Sequence, residues 1–140
     1  FSSPPFQYQQ LKTPGIRTLL NSYDVLGGPG TFNLVWTTTK FHNENPKVYA
    51  AFVAAFAEAI ETINKGKPAA ALRYIEISRD KKSTVEEILA MLDDPAIEFT
   101  MTPKGVMRYA EFMHKIGLIK VKPADWKELF FPNVHGLKGS

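Results

Sequence analysis

The sequence predicts an α/β or α+β fold, a few strands followed by packed helices, on three observations. Residues 1 to about 40 are rich in Pro, Gly and Thr and carry short apolar runs. Thr31 to Thr39 alternates apolar and polar side chains, the period of a half-buried strand. From residue 46 to about 131 apolar residues recur at helical spacing between capping signals.

The elements follow in order. Ile16 to Leu20 is a short apolar, partly β-branched run after a Pro14-Gly15 turn, and it reads as a strand. Asn21 to Leu26 leads into Gly27-Gly28-Pro29-Gly30, a cluster with unusual backbone freedom. In the next predicted strand Phe32, Leu34 and Trp36 share one face, opposite Thr31, Asn33, Val35 and Thr37. Asn45-Pro46 then has the form of an N-cap with proline at the first helical position. Val48, Phe52, Phe56, Ile60 and Ile63 form a helical stripe expected to be core, and Gly66 ends that helix. Pro68 opens a shorter helix to about Ser78. Ser83 and Glu86 have capping-box spacing ahead of Val85, Ile88, Leu89 and Leu92. Asp93-Asp94-Pro95 stops that helix, and Ile97 to Met101 alternates as a short extended stretch. A further helix starts at Thr102-Pro103, turns Val106, Tyr109, Ala110, Met113 and Ile116 inward, and ends at Gly117. Pro123 to Phe131 is a short aromatic-rich helix or turn. The predicted strands are too few for a complete sheet. With the opening Phe1-Ser2-Ser3-Pro4-Pro5-Phe6, this leads to the expectation that the chain is the later part of a longer protein.

Composition narrows the chemistry. Apolar residues make up 44% of the chain and charged residues 22%, values of an ordinary folded domain rather than of a disordered one. Net charge is +3, yet the longest basic run is Lys81-Lys82, so no concentrated basic face for nucleic acid is expected. The excess still favours small anions. With no cysteine, disulfides, thiolate nucleophiles and cysteine-held metals are excluded for these residues. No apolar run approaches the ~20 residues of a membrane span. His42, His114 and His135 lie far apart and match no metal-ligand spacing. Asp93, Asp94, Glu86 and Glu87 sit where helix ends call for them, and Glu58 and Glu61 fall on an outer helix face. Asp24, ahead of the glycines, reads as a turn residue. Gly27 to Gly30 matches neither phosphate-loop pattern, because a strand is expected after it, and it reads as a hinge or tight turn. Ser2, Ser3, Pro5 and Phe6 combine hydroxyls, a stiff backbone and a ring, a combination that can hold an anion at low entropic cost.

Five stretches in order, FSSPPF, LNSYDVLGGPGTFN, KFHNENPKVYAAFVAAFAEA, TPKGVMRYAEFMHKIG and WKELFFPNVHGLKGS, closely resemble the C-terminal part of the nitrate/sulfonate/taurine-type substrate-binding proteins of ABC importers. The resemblance covers nearly the whole chain. It implies the C-terminal part of a type II periplasmic binding protein fold. Residues 1–26 would end the second lobe, 27–40 would be a hinge crossing strand, and 41–140 would be a helical part packing on the first lobe. It implies a binding protein rather than an enzyme, periplasmic or lipid-anchored outside the cell, with no cofactor and no catalytic residue. Its partners would be a small anionic ligand and a transporter permease. Ser2, Ser3, Pro5 and Phe6 would contact the ligand, and Gly27, Gly28 and Thr31 would form the hinge or the cleft edge. The alternative reading is a related branch of the same superfamily, a thiamine-pyrimidine biosynthesis enzyme or precursor-binding protein, whose enzymes rely on a cysteine-rich motif with iron; these 140 residues contain no cysteine. A chain without its other lobe would expose apolar surface, and self-association is expected.

Overall fold

The computed structural model describes residues 2–140. Its regular structure is all helical: α1 (Phe6–Leu11), α2 (Ser22–Leu26), α3 (Thr39–Glu44), α4 (Pro46–Lys65), α5 (Lys67–Ser78), α6 (Val85–Asp93) and α7 (Val106–Lys115), then two short 3-10 helices at Trp126–Leu129 and Pro132–Val134. No strand forms among the described residues. The expected α/β class, with its type II binding-protein sheet and the strands at residues 16–20, 31–39 and 97–101, is therefore corrected to all-helical. Alternation makes a segment fit to be a strand, but a strand exists only where a second one satisfies its backbone groups. No such partner is found among the described residues.

The chain divides into two compact units. Among the described residues, one comprises residues 2–19 and 46–99, the other residues 20–45 and 100–140.

In the first unit the core is small. Ala71 of α5 packs with Ile88, Met91 and Leu92 of α6, flanked by Tyr8, Tyr74, Ile75, Val85, Leu89 and Ile97. α6 starts on a capping box one residue later than the spacing suggested. The Thr84 hydroxyl accepts from the Glu87 N–H and the Glu87 carboxylate accepts from the Thr84 N–H. Ser83 is instead bound to Gln9. Helix α4, alanine-rich and long, satisfies its own backbone and buries no residue. Val48, Phe52 and Phe56, expected as core, are exposed. Asn64 Nδ2 ties the helix to the Phe99 carbonyl at 2.9 Å. Asn45, read as the N-cap of α4, caps α3 instead: its N–H and its side-chain amide both donate to the Phe41 carbonyl.

In the second unit Val106, Trp126 and Val134 form the centre, with Met101, Met107 and Phe130 packed on them. α2 and α3, neither of them anticipated, are each made by a side-chain cap. Asn21 Oδ1 accepts from Tyr23 N–H, and Thr38 Oγ1 accepts from Phe41 N–H. In α7 Val106 and Ala110 are buried, whereas Tyr109, Met113 and Ile116, expected inward, are exposed.

Candidate functional site

In the first unit, the N-terminal loop and α1 meet the turn between α5 and α6. Pro5, Phe6 and Gln9 face Tyr74, Ser78, Arg79, Asp80, Lys81 and Lys82 across an open groove of about 390 Å³. That volume is in the range of small-molecule sites. Phe6 leaves 60% of its surface exposed, so its ring is available to an organic group.

Local sequence explains the shape of the groove. α5 ends at Arg79, which adopts the left-handed conformation with φ 54° and closes the helix through its N–H to the Ile75 carbonyl. A side chain in that region is uncommon and clusters at functional sites and turns. Asp80 then makes a tight turn, its Oδ1 accepting from Lys82 N–H at 2.7 Å. That bond, followed by the Ser83 hydroxyl, holds the Asp80 carboxyl below its ordinary value. Gln9 Nε2 donates to Ser83 Oγ at 3.0 Å and to Asp80 Oδ2 at 3.4 Å, joining α1 to the turn. Three cations, Arg79, Lys81 and Lys82, thus stand around one carboxylate that the backbone already occupies. The groove carries an excess of positive charge, placed where the negative end of α5 favours cations in any case.

α1 is held down by two further contacts. Lys12 pairs with Glu87 at 2.5 Å. Tyr8 donates to Asp94 Oδ2 at 2.5 Å. Burial, then the bond to Asp94, pushes the Tyr8 phenol up to about 12. The Tyr8 bond, then the Ala96 N–H, lowers the Asp94 carboxyl from its ordinary 3.8. A lowered carboxyl stabilises the fold above its ordinary value and loses that contribution as pH falls through the lowered one. Thermal melts across acidic pH are expected to show wild type more stable than Tyr8→Phe by about 1 kcal/mol near neutrality. The gap should close below pH 3.8. A gap that persists unchanged in acid would place the effect elsewhere.

Of the residues singled out in the sequence, Ser2, Ser3, Pro5 and Phe6 belong to this unit. Pro5 and Phe6 line the groove, while Ser2 is exposed and the Ser3 carbonyl accepts from Gln7 N–H at 3.2 Å. Phe1 of the same motif lies outside the described residues. Gly27, Gly28 and Thr31 belong to the second unit. Gly27, at φ 74°, ends α2, and both it and Gly28 donate to the Tyr23 carbonyl. Arg108 Nη1 donates to the Leu26 carbonyl at 3.0 Å. Thr31 binds Lys104 twice: its N–H donates to the Lys104 carbonyl and its hydroxyl accepts from Lys104 N–H, each at 2.8 Å. Gly105 touches the same loop so closely that a Cβ there would come within 2.9 Å of the Pro29 carbonyl. The glycine cluster is thus anchored on the start of α7.

Arg79, Lys81, Lys82, Gln9 and Tyr74 did not stand out in the sequence as site residues. The one signal was Lys81-Lys82, the longest basic run, lying between two helix boundaries. Two of the three histidines have structural surroundings. His42 stacks on Phe131 at 4.2 Å between centroids, and His135 Nε2 lies 2.9 Å from the Phe130 carbonyl and 3.0 Å from that of Lys127. Among the described residues no group of three His, Asp or Glu side chains could hold a metal, and no helix is long and apolar enough to cross a membrane. No family model, curated protein or solved structure matches the chain.

Proposed function

We propose that the chain is part of the solute-binding component of an ABC importer and captures a small anion of the nitrate, sulfonate or taurine kind. The observation that carries this reading is the groove beside α1, where an exposed aromatic ring faces a turn bearing three cations. Five sequence stretches in family order support it from a separate direction. The ring suits the organic part of a sulfonate, and the cations suit its anionic head. An arginine fork can bind such a head through two N–H groups at once.

Calorimetric titration of the chain with nitrate, taurine, alkyl and aryl sulfonates and small carboxylates tests it. At least one of these is expected to bind, more weakly as salt rises. Arg79→Gly suits the positive φ while removing the charge, and Lys82→Gln removes a second cation. Each is expected to weaken binding about tenfold, equivalent to 1.4 kcal/mol. Phe6→Ala should weaken aryl sulfonates and leave nitrate unchanged. Silence across the whole series, or binding that none of the three substitutions alters, would overturn the proposal.

A further inference from the structure

The N-terminal segment forms one wall of the groove through Pro5, Phe6 and Gln9, yet little holds it there. None of the residues of α1 is buried. Among the described residues, no backbone hydrogen bond joins residues 5–19 to α5 or α6. The ties are side-chain bonds: Tyr8 to Asp94, Gln9 to Ser83 and Asp80, and Lys12 to Glu87. Lys12 and Glu87 leave 45% and 39% of their side chains exposed, so that pair adds little and salt weakens it. The contact beneath is not filled either. A cavity of about 20 Å³, room for one water molecule, lies between Tyr8 and Lys12 on one side and Ile88 and Met91 on the other. Atoms that line a void lose the dispersion contacts of a packed interface. Downstream the chain is equally loose. Residues 10–20 are exposed throughout, and Gly15 turns at φ 84° in open space.

Segments with few buried contacts and solvent-exposed bonds open before their domain unfolds. A helix of six residues is also too short to persist alone once it is detached. We propose that α1 is a clasp: it detaches from α6 while the rest of the first unit stays folded, and it takes one wall of the groove with it. The groove then alternates between a closed form, with the Phe6 ring facing the cations, and an open form without the ring. Detachment needs no ligand, so it stands or falls apart from the choice of solute.

Thiol labelling of the full chain tests this, since the sequence has no cysteine of its own. Met91 lines the cavity under α1 and its neighbour Leu92 does not, and both are buried. Met91→Cys is expected to react with a small thiol reagent about tenfold faster than Leu92→Cys. Its rate should depend little on urea, because detaching α1 exposes little surface. Leu92→Cys reports opening of the whole core and should depend on urea steeply. Gln9→Ala is expected to speed the reaction of Met91→Cys about fivefold and to leave that of Leu92→Cys unchanged. Chymotrypsin gives a second reading on the wild-type chain. Tyr8 reaches the core of the unit, so its ring must leave before the protease can cut after it. That cut is expected in the absence of urea, with cleavage after Leu92 rising only as urea unfolds the unit. Equal rates and equal urea dependence for the two thiols, no acceleration by Gln9→Ala, or cleavage after Tyr8 only where the unit unfolds would each overturn the proposal.

Discussion

Ile88→Ala is expected to destabilise the first unit by about 2–5 kcal/mol, the usual cost of removing a large aliphatic side chain from a core. Ile88 is 2% exposed and packs among Ala71, Met91 and Leu92. That core contains few large residues, and a deletion there removes a large share of all the burial it has. Small domains have little margin to absorb such a loss. Phe52→Ala provides the contrast. Phenylalanine is the larger side chain and the sequence marks it as core, yet it is 48% exposed and its ring meets Phe56 at 5.9 Å between centroids. Its removal is expected to cost less than about 0.5 kcal/mol, in the range of surface substitutions. Chemical denaturation followed by circular dichroism separates the two, and equal losses would contradict the burial pattern described here.

Trp126→Ala is expected to cost about 3–5 kcal/mol and to melt the C-terminal part of the second unit first. The indole is 7% exposed between Val106 and Val134, meets Phe130 edge-on, and has His135 edge-on at 6.1 Å. It also receives the chain end. A Cβ at Gly139 would lie 2.7 Å from the ring, so the backbone there passes as close as glycine allows. Beyond it, the Ser140 carbonyl accepts from Val106 N–H at 2.8 Å and the Ser140 hydroxyl accepts from Gly105 N–H at 2.9 Å. Removing the indole takes away the surface that holds these bonds in place. Hydrogen exchange at the Gly105 and Val106 amides should rise sharply in the variant. Protection retained at both would show that the tail is held by other means.

The helical half was legible because its signals are local. Pro68, Ser83 with Glu86, Asp93-Asp94-Pro95 and Gly117 are signals that act on hydrogen bonds within about four residues of themselves, and α5, α6 and α7 lie close to where those signals put them. The one-residue shift of the capping box shows the limit of spacing alone. Ser83 and Thr84 are both acceptable caps, and Gln9, distant in sequence, takes the Ser83 hydroxyl. The groove was half legible. Pro5 and Phe6 could be singled out as a stiff loop with a ring, but the cations opposite them come from a turn about seventy residues later.

What the sequence by itself determined is where α4, α5 and α6 start and stop, since a cap or a proline acts on its nearest backbone neighbours whatever surrounds it. Tertiary structure alone decided which apolar stripes are buried and whether an alternating segment becomes a strand. Val48, Phe52 and Phe56 have a core pattern but are exposed, while Ile88 and Leu92 have the same pattern and are covered. Thr31 to Thr37 has strand chemistry and makes no ladder. Burial and β-pairing are properties of two surfaces, and one segment's residues specify only one of them.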